Sequence, residues 1–301
     1  MPAWIVITVS AALFQCWRTA LQQRLRGQMS VNAAGVVRYL YGVPVGALLL
    51  ALYMAAFGGA LSSPNAAFLL YCAAGGLLQI LGTNLLIMAF GHRGFAVGTA
   101  YAKTEAVQGA VLALILLGEH ISGLAWVGIG VCVFGTLYLS LGGKKMPLWE
   151  IARATLQPAA VCGLAAGFCF ALTSVCIKAA NQALAGPDPI LKALETLVVT
   201  NAMQTVMQGG YLWLREPAQL RIVLASWRTS AQVGALSACG SACWFSAFAL
   251  APVALVRAVG QVEILFTLLF SRFFLGERPR RAEVAGALLV VAGVVLVLLG
   301  R

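Results

Sequence analysis

Apolar residues along this chain neither alternate nor keep to one helical stripe. They continue for twenty or more positions at a time, separated by brief polar breaks. A helix that crosses a bilayer needs about 20 mostly apolar residues, and these runs predict ten helices, over 3–23, 33–56, 66–90, 94–116, 122–141, 157–183, 190–214, 230–250, 254–275 and 281–299. Turn residues punctuate the breaks, as in Ser62-Ser63-Pro64-Asn65, Gly142-Gly143-Lys144-Lys145, Gly186-Pro187-Asp188-Pro189 and Arg278-Pro279. A transmembrane barrel would instead show alternating segments of ~10 residues. The first run lacks the basic n-region of a secretory signal and reads as an uncleaved span. The expected fold class is all-α integral membrane.

The order of the runs contains a repeat. Leu117-Gly118-Glu119 recurs as Leu275-Gly276-Glu277, and Glu105 recurs as Glu263; 277 minus 119 and 263 minus 105 are both 158. Gly76, Gly82, Gly128 and Gly135 meet Gly234, Gly240, Gly286 and Gly293 at the same offset. The chain therefore divides into a first unit over 1–143, a basic connection over 144–156 and a second unit over 157–301. Five spans per unit is an odd number, so the second unit enters the membrane upside down relative to the first, giving ten transmembrane helices as two inverted five-helix repeats.

Charge supports that topology. The net charge of +11 comes from 20 Lys and Arg against 9 Asp and Glu. The bases sit in alternate loops: Arg24 and Arg26, Arg93, the central Lys144, Lys145 and Arg153, then Arg215, Arg221 and Arg228, then Arg272, Arg278, Arg280 and Arg281. Only Arg301 falls on the other side. By the positive-inside rule the rich side is cytoplasmic, which predicts a multi-pass protein of a cell inner membrane with both termini periplasmic. The same distribution removes nucleic acid as a partner. With 61% hydrophobic and 10% charged residues, and a mean hydropathy of +0.91, no soluble domain fits beside the spans. The eight cysteines lie inside apolar runs without a C-x-x-C pair, so they read as packing residues, with no metal site and no cofactor expected. P-loop, H-E-x-x-H and G-x-S-x-G signatures are absent, which argues against an ATP-driven pump and against an enzyme.

Candidate chemistry follows from depth. Ionisable groups inside spans are costly and face bundle interiors or aqueous cavities. At ~1.5 Å per residue, Lys103, Glu105 and Glu263 fall near mid-membrane. Arg18, Arg38, Lys178, Lys192, Glu195 and Arg257 fall within a turn or two of a span end, and Lys178, Lys192 and Arg257 read as snorkelling anchors. On a continuous helix Lys103 and Glu105 point about 200° apart, while Tyr101, Glu105 and Gln108 share one face. Gln261 occupies the repeat position of Lys103, so the two mid-depth sites are related and one has an extra cation. A glutamate at this depth can trade a proton for a cationic substrate group; a permanent Glu–Lys pair between helices is the structural alternative. Lys103 suits a substrate carboxylate. Gln15, Gln79 and Asn84, with Asn201 and Gln204, add polar groups at similar depth. Trp17 and Trp244, with Tyr39 and Tyr41, are candidate walls by stacking or cation–π contact, with packing and interfacial belts as the alternative. The smooth Gly128/Gly135 and Gly286/Gly293 stripes suit a scaffold, a dimer surface or packing within the chain.

These residues together resemble the ten-helix members of the drug/metabolite transporter superfamily, built from two EamA-type domains. The resemblance rests on the paired Gly118-Glu119 and Gly276-Glu277 endings, the glycine-bearing helices after them, and Arg38 early in the second span. It implies a carrier of amino acids, nucleobases, drugs or other small metabolites, often an exporter, with the first four spans of each repeat around a central cavity and the fifth outside. Ala106 and Ile264 stand where such proteins often have Pro after the glutamate, and Lys103 is not a family hallmark. The expected function is secondary transport, as an exporter, of a small polar metabolite such as an amino acid by alternating access. Gln15, Trp17, Arg38, Gln79, Asn84, Tyr101, Lys103, Glu105, Gln108, Trp244, Gln261 and Glu263 are the binding or coupling candidates. The implied partners are a small-molecule substrate, the lipid bilayer and protons, in a monomer or homodimer. Export of lipophilic cations, lipid flipping and an intramembrane enzyme are the rival readings.

Overall fold

In the computed structural model of the chain, residues 2–25, 29–91, 101–140, 157–274 and 281–301 are described. The expectations for Arg26, Arg93, residues 94–100 of the fourth span, Gly142 to Lys145, Arg153 and Leu275 to Arg280 lie outside them, as does the 144–156 connection. The described residues form α-helices and no strand. They are α1 (Ala3–Leu25), α2 (Val31–Leu40), α3 (Gly42–Phe57), α4 (Ala66–Gly91), α5 (Glu105–Leu117), α6 (Gly123–Ser140), α7 (Pro158–Ala183), α8 (Pro189–Arg215), α9 (Pro217–Ala225), α10 (Trp227–Leu250), α11 (Val253–Gly260), α12 (Glu263–Phe274) and α13 (Arg281–Leu299). Seven helical stretches among the described residues are long and apolar enough to cross a membrane; Glu105–Leu117 and Gly123–Leu139 are apolar but shorter. The protein is an all-α integral membrane protein.

Four expectations change. The span over 33–56 is two helices joined at Tyr41, whose N–H reaches the Val37 carbonyl at 3.4 Å. Pro44 explains the joint, because it lacks an N–H and its ring opposes the carbonyl four residues back. The spans over 94–116 and 254–275 are likewise interrupted, at Lys103 and Thr104 and at Gln261 and Val262. And the stretch after Arg215, expected as a loop, contains the nine-residue α9, with Pro217 in its first turn, where a missing N–H costs nothing.

The helices gather into two compact units that interleave the sequence halves: 1–80 with 173–251, and 81–172 with 252–301. In the first, α1 packs on α10, and α2, α3, α8 and α10 pack together. Val223 of α9, fully buried, joins Met29, Ala33, Ala34, Val36 and Val37 in an apolar cluster, and the Tyr41 hydroxyl donates to the Val223 carbonyl at 3.1 Å. Asp188 caps α8, accepting from the Ile190 and Leu191 amides at 2.9 and 3.2 Å and from the Tyr53 hydroxyl at 2.8 Å. Burial disfavours the Asp188 charge, but the Tyr53 hydroxyl, the two amides and nearby Lys192 outweigh it and hold the carboxyl below its ordinary range.

In the second unit α6 lies against α13 through the two glycine stripes. A Cβ on Gly128 would stand 2.7 Å from the Gly293 carbonyl oxygen, and one on Gly135 would stand 2.9 Å from that of Gly286. Because 128 meets 293 while 135 meets 286, the two repeat-equivalent helices run antiparallel. The smooth faces are thus used inside the chain. The Cys132 thiol adds a 3.5 Å contact to the Val290 carbonyl.

Gly293→Ala is expected to cost about 1–3 kcal/mol by overpacking and to lower the melting temperature in detergent, whereas Gly130→Ala, with nothing within 4 Å of its added methyl, should leave it unchanged. Asp188→Ala should remove about 0.5–2 kcal/mol of capping. Since the folded Asp188 titrates below its unfolded value, that contribution is present above the ordinary carboxyl range and is lost as pH falls through the depressed value; melts of wild type and variant should converge in acid.

Candidate functional site

The second unit holds the mid-depth charges, and its backbone explains how. Residues 101 and 102 are helical, Lys103 and Thr104 form a turn, and α5 begins at Glu105. At the repeat positions α11 ends at Gly260, Gln261 and Val262 form a turn, and α12 begins at Glu263. Both breaks are closed by i→i−3 bonds, from the Thr104 N–H to the Tyr101 carbonyl at 3.2 Å and from the Val262 N–H to the Val259 carbonyl at 3.1 Å. The 158-residue offset therefore holds for backbone conformation as well as for residue type. Each glutamate occupies the first turn of a half-helix, where the helix dipole favours negative charge.

Four charged side chains pair across the two breaks. The Lys103 ammonium donates to Glu263 Oε2 at 2.9 Å, and the Arg257 guanidinium donates to Glu105 Oε1 at 3.3 Å and to the Phe170 carbonyl at 3.1 Å. All four are largely shielded, with side chains 11–19% exposed. Each anion belongs to one repeat and its cation to the other, and the four sum to zero. The extra cation expected at this depth is balanced, because Arg257 brings Glu105 a partner.

Two sequence arguments fail at the turn. Tyr101 is not on a continuous stripe with Glu105 and Gln108, since the helix restarts between them. Nor does the 200° separation of Lys103 and Glu105 apply. The Tyr101 carbonyl instead accepts from the Thr104 hydroxyl at 2.6 Å, and Gln108 Nε2 donates to that hydroxyl at 2.8 Å. Gln261, 3% exposed, accepts from the Thr136 hydroxyl at 3.3 Å. Gly167 of α7 lets a backbone approach the first break: a Cβ there would lie 2.9 Å from the Ala102 carbonyl oxygen. Asn84 on α4 is partly buried.

The repeated Leu-Gly-Glu motif also has a local cause. Gly118 ends α5 at φ 66°, a left-handed conformation that side-chain-bearing residues resist, and Glu119 Oε2 accepts from the Val253 N–H at 2.8 Å, capping the half-helix that carries Arg257.

The remaining candidates lie in the first unit. Gln15 Oε1 accepts from the Trp244 indole at 3.1 Å, and Trp244 stacks on Phe248 at 5.9 Å. Arg38 is buried, 3.4 Å from the Ser237 hydroxyl, with its guanidinium 5.4 Å from the centre of the Tyr39 ring. Gln204 donates to Gln79 Oε1 at 2.8 Å and to the Gly76 carbonyl at 3.0 Å. Trp17 is 48% exposed and is not gathered with these groups. Lys178, expected at an interface, is buried and donates to the Ala251 carbonyl at 2.8 Å; with Asn181, Lys192 and Phe248 it lines a cavity of about 60 Å³. Of the three residues that span-end arithmetic set aside as anchors, Arg257 joins the paired charges and Lys178 and Lys192 line this cavity. For Arg257, its position six residues before Glu263, ahead of the interrupted turn, was the available signal.

Residues 157–299 match the model of the EamA-like transporter family. No curated protein matches the chain in sequence. Among solved structures, one titled only as the crystal structure of a protein is similar, with a TM-score of 0.72 and 17% identity, covering 99% of this chain and 98% of that one. At that identity the likeness concerns the fold alone.

The two ion pairs are expected to be coupled to folding. A double-mutant cycle of Lys103→Met and Glu263→Gln, read by thermal melts in detergent, should return an interaction energy of about 0.5–3 kcal/mol, and additive effects would show that the 2.9 Å contact contributes nothing.

Proposed function

We propose, from the premise that an EamA-like transporter domain makes this chain a membrane transporter of the drug/metabolite superfamily, that it is a secondary exporter of a small zwitterionic metabolite such as an amino acid. The observation that carries this reading is the neutral set of paired charges at two half-helix starts inside the membrane spans. Such breaks are where secondary transporters place substrate and coupling-ion groups. A zwitterion supplies one charge of each sign, so it can replace an internal pair without leaving net charge in a low-dielectric site. Its carboxylate would meet Lys103 or Arg257, and its ammonium Glu105 or Glu263. Gln108, one turn beyond Glu105, keeps a buried Oε1 with no hydrogen-bond partner among the described residues, an acceptor suited to an ammonium or hydroxyl. Between substrates the glutamates return to their cations or take up protons, which couples flux to the proton gradient.

The antiparallel crossing of α6 and α13 and the shared position of the two breaks support the reading of 1–143 and 157–301 as inverted repeats joined by 144–156. With the loop charges, they support an inner-membrane protein with both termini periplasmic. Gln15, Trp244, Arg38 and Gln79 are proposed to contribute contacts or to set the geometry that alternating access requires.

A second reading, export of lipophilic cations, draws on one observation: Lys103 is paired with Glu263, which mutes the repulsion a free ammonium would exert.

A melting-temperature screen of metabolites, followed by counterflow of the best hit in proteoliposomes, tests the carrier. Glu105→Gln or Glu263→Gln is expected to abolish pH-dependent flux in a protein that still folds; wild-type rates in both variants would remove the coupling role. Lys103→Ala separates the substrates: lost zwitterion flux favours the first reading and raised cation efflux the second.

A further inference from the structure

The first unit carries a charged and aromatic collar that the transport site does not use. It surrounds α9, where the chain leaves α8 and enters α10. One face of α9 is fastened to the interior through Val223 and its neighbours, and α9 packs on α2, α8 and α10. Its other face is exposed, with Arg221 and Leu224 upon it. Beside it, Trp213 and Leu214 are 70% and 80% exposed at the end of α8, Arg215 is exposed, and Trp227 and Arg228 are exposed at the start of α10. The Arg228 guanidinium lies 5.6 Å from the centre of the Trp227 ring.

Glu216 is the one acid between Glu195 and Glu263 in the sequence. It is turned inward, accepting from the Ser30 hydroxyl at 2.5 Å and from Asn32 Nδ2 at 2.8 Å, while Gln219 accepts from the Ser30 N–H at 2.8 Å. That clasp spends the collar's acid on internal hydrogen bonds and leaves Arg215, Arg221 and Arg228 facing outward.

We propose that this collar binds anionic phospholipid. A short helix with a pinned apolar face, outward arginines and flanking Trp and Leu lies in the plane of the membrane interface, with the indoles at headgroup depth and the guanidinium groups at the phosphates. Guanidinium groups meet phosphate oxygens bidentately, which favours a phosphate headgroup over other interfacial anions. A zwitterionic lipid offers the same phosphate with a compensating cation, so the collar discriminates by net headgroup charge. Each arginine near an anionic surface strengthens binding about fivefold.

The test uses the full chain in neutral detergent micelles, with phosphatidylglycerol or phosphatidylcholine titrated and bound lipid counted by native mass spectrometry. Wild type should retain phosphatidylglycerol in preference to phosphatidylcholine, and the triple variant Arg215→Gln, Arg221→Gln, Arg228→Gln should lose affinity for it about a hundredfold. Equal retention of the two lipids by wild type, or unchanged retention of phosphatidylglycerol by the variant, overturns the proposal. Inorganic phosphate should not displace the lipid; displacement would assign the site to free phosphate. Should the variant fold poorly, high salt applied to wild type serves instead: the preference should fall steeply with ionic strength, and a salt-insensitive preference also overturns the proposal.

Discussion

Charge inside a hydrocarbon layer is tolerated only when something answers it, and that constraint shapes the second unit. An ammonium, a guanidinium and two carboxylates lie on or beside helices that are otherwise mostly apolar. Each is answered by an opposite charge from the other repeat, at 2.9 Å for Lys103–Glu263 and 3.3 Å for Arg257–Glu105. Replacing hydration by one protein partner balances well only when the remaining hydrogen-bonding capacity is also met. For Arg257 the Phe170 carbonyl of α7 supplies part of that capacity.

Breaking a helix in a membrane is itself costly, since every freed backbone group must find a partner. The two turns meet that cost with i→i−3 bonds and with Thr104 bonded to the Tyr101 carbonyl, and Glu119 caps the start of α11 at the Val253 N–H. The interruption is therefore built into the fold. It is held between two ordered half-helices, one of them capped by the carboxylate of the repeated Leu-Gly-Glu motif. The glycine-lined contact of α6 with α13 is, by contrast, a backbone-to-backbone seam between two uninterrupted helices.

The candidate site was partly legible. Glu105 and Glu263 stood out because their depth and their 158-residue spacing were both readable, and Lys103 because ammonium groups are rare at that depth. Arg257 was assigned to an interface because a continuous helix places it near a span end. The turn at Gln261 and Val262 makes that estimate inapplicable, and no proline or glycine pair there announces it. Gln15 with Trp244, and Gln79 with Gln204, were polar groups at similar depth whose pairing depends on which helix faces cross.

By itself the sequence determined the class of molecule, the number and approximate limits of the apolar runs, the recurrence of residues at an offset of 158, and which ionisable side chains fall within those runs. Those follow from composition and period, which are local and additive along the chain. Only the tertiary structure decided which charges meet, where the helices break, that the glycine stripes face each other, and that the segment after Arg215 is a helix with its acid turned inward. The charge pairs, the glycine seam and the inward-turned acid depend on partners roughly 150 to 190 residues away in sequence, because burial in a bilayer settles which segments are helical and leaves their contacts to packing.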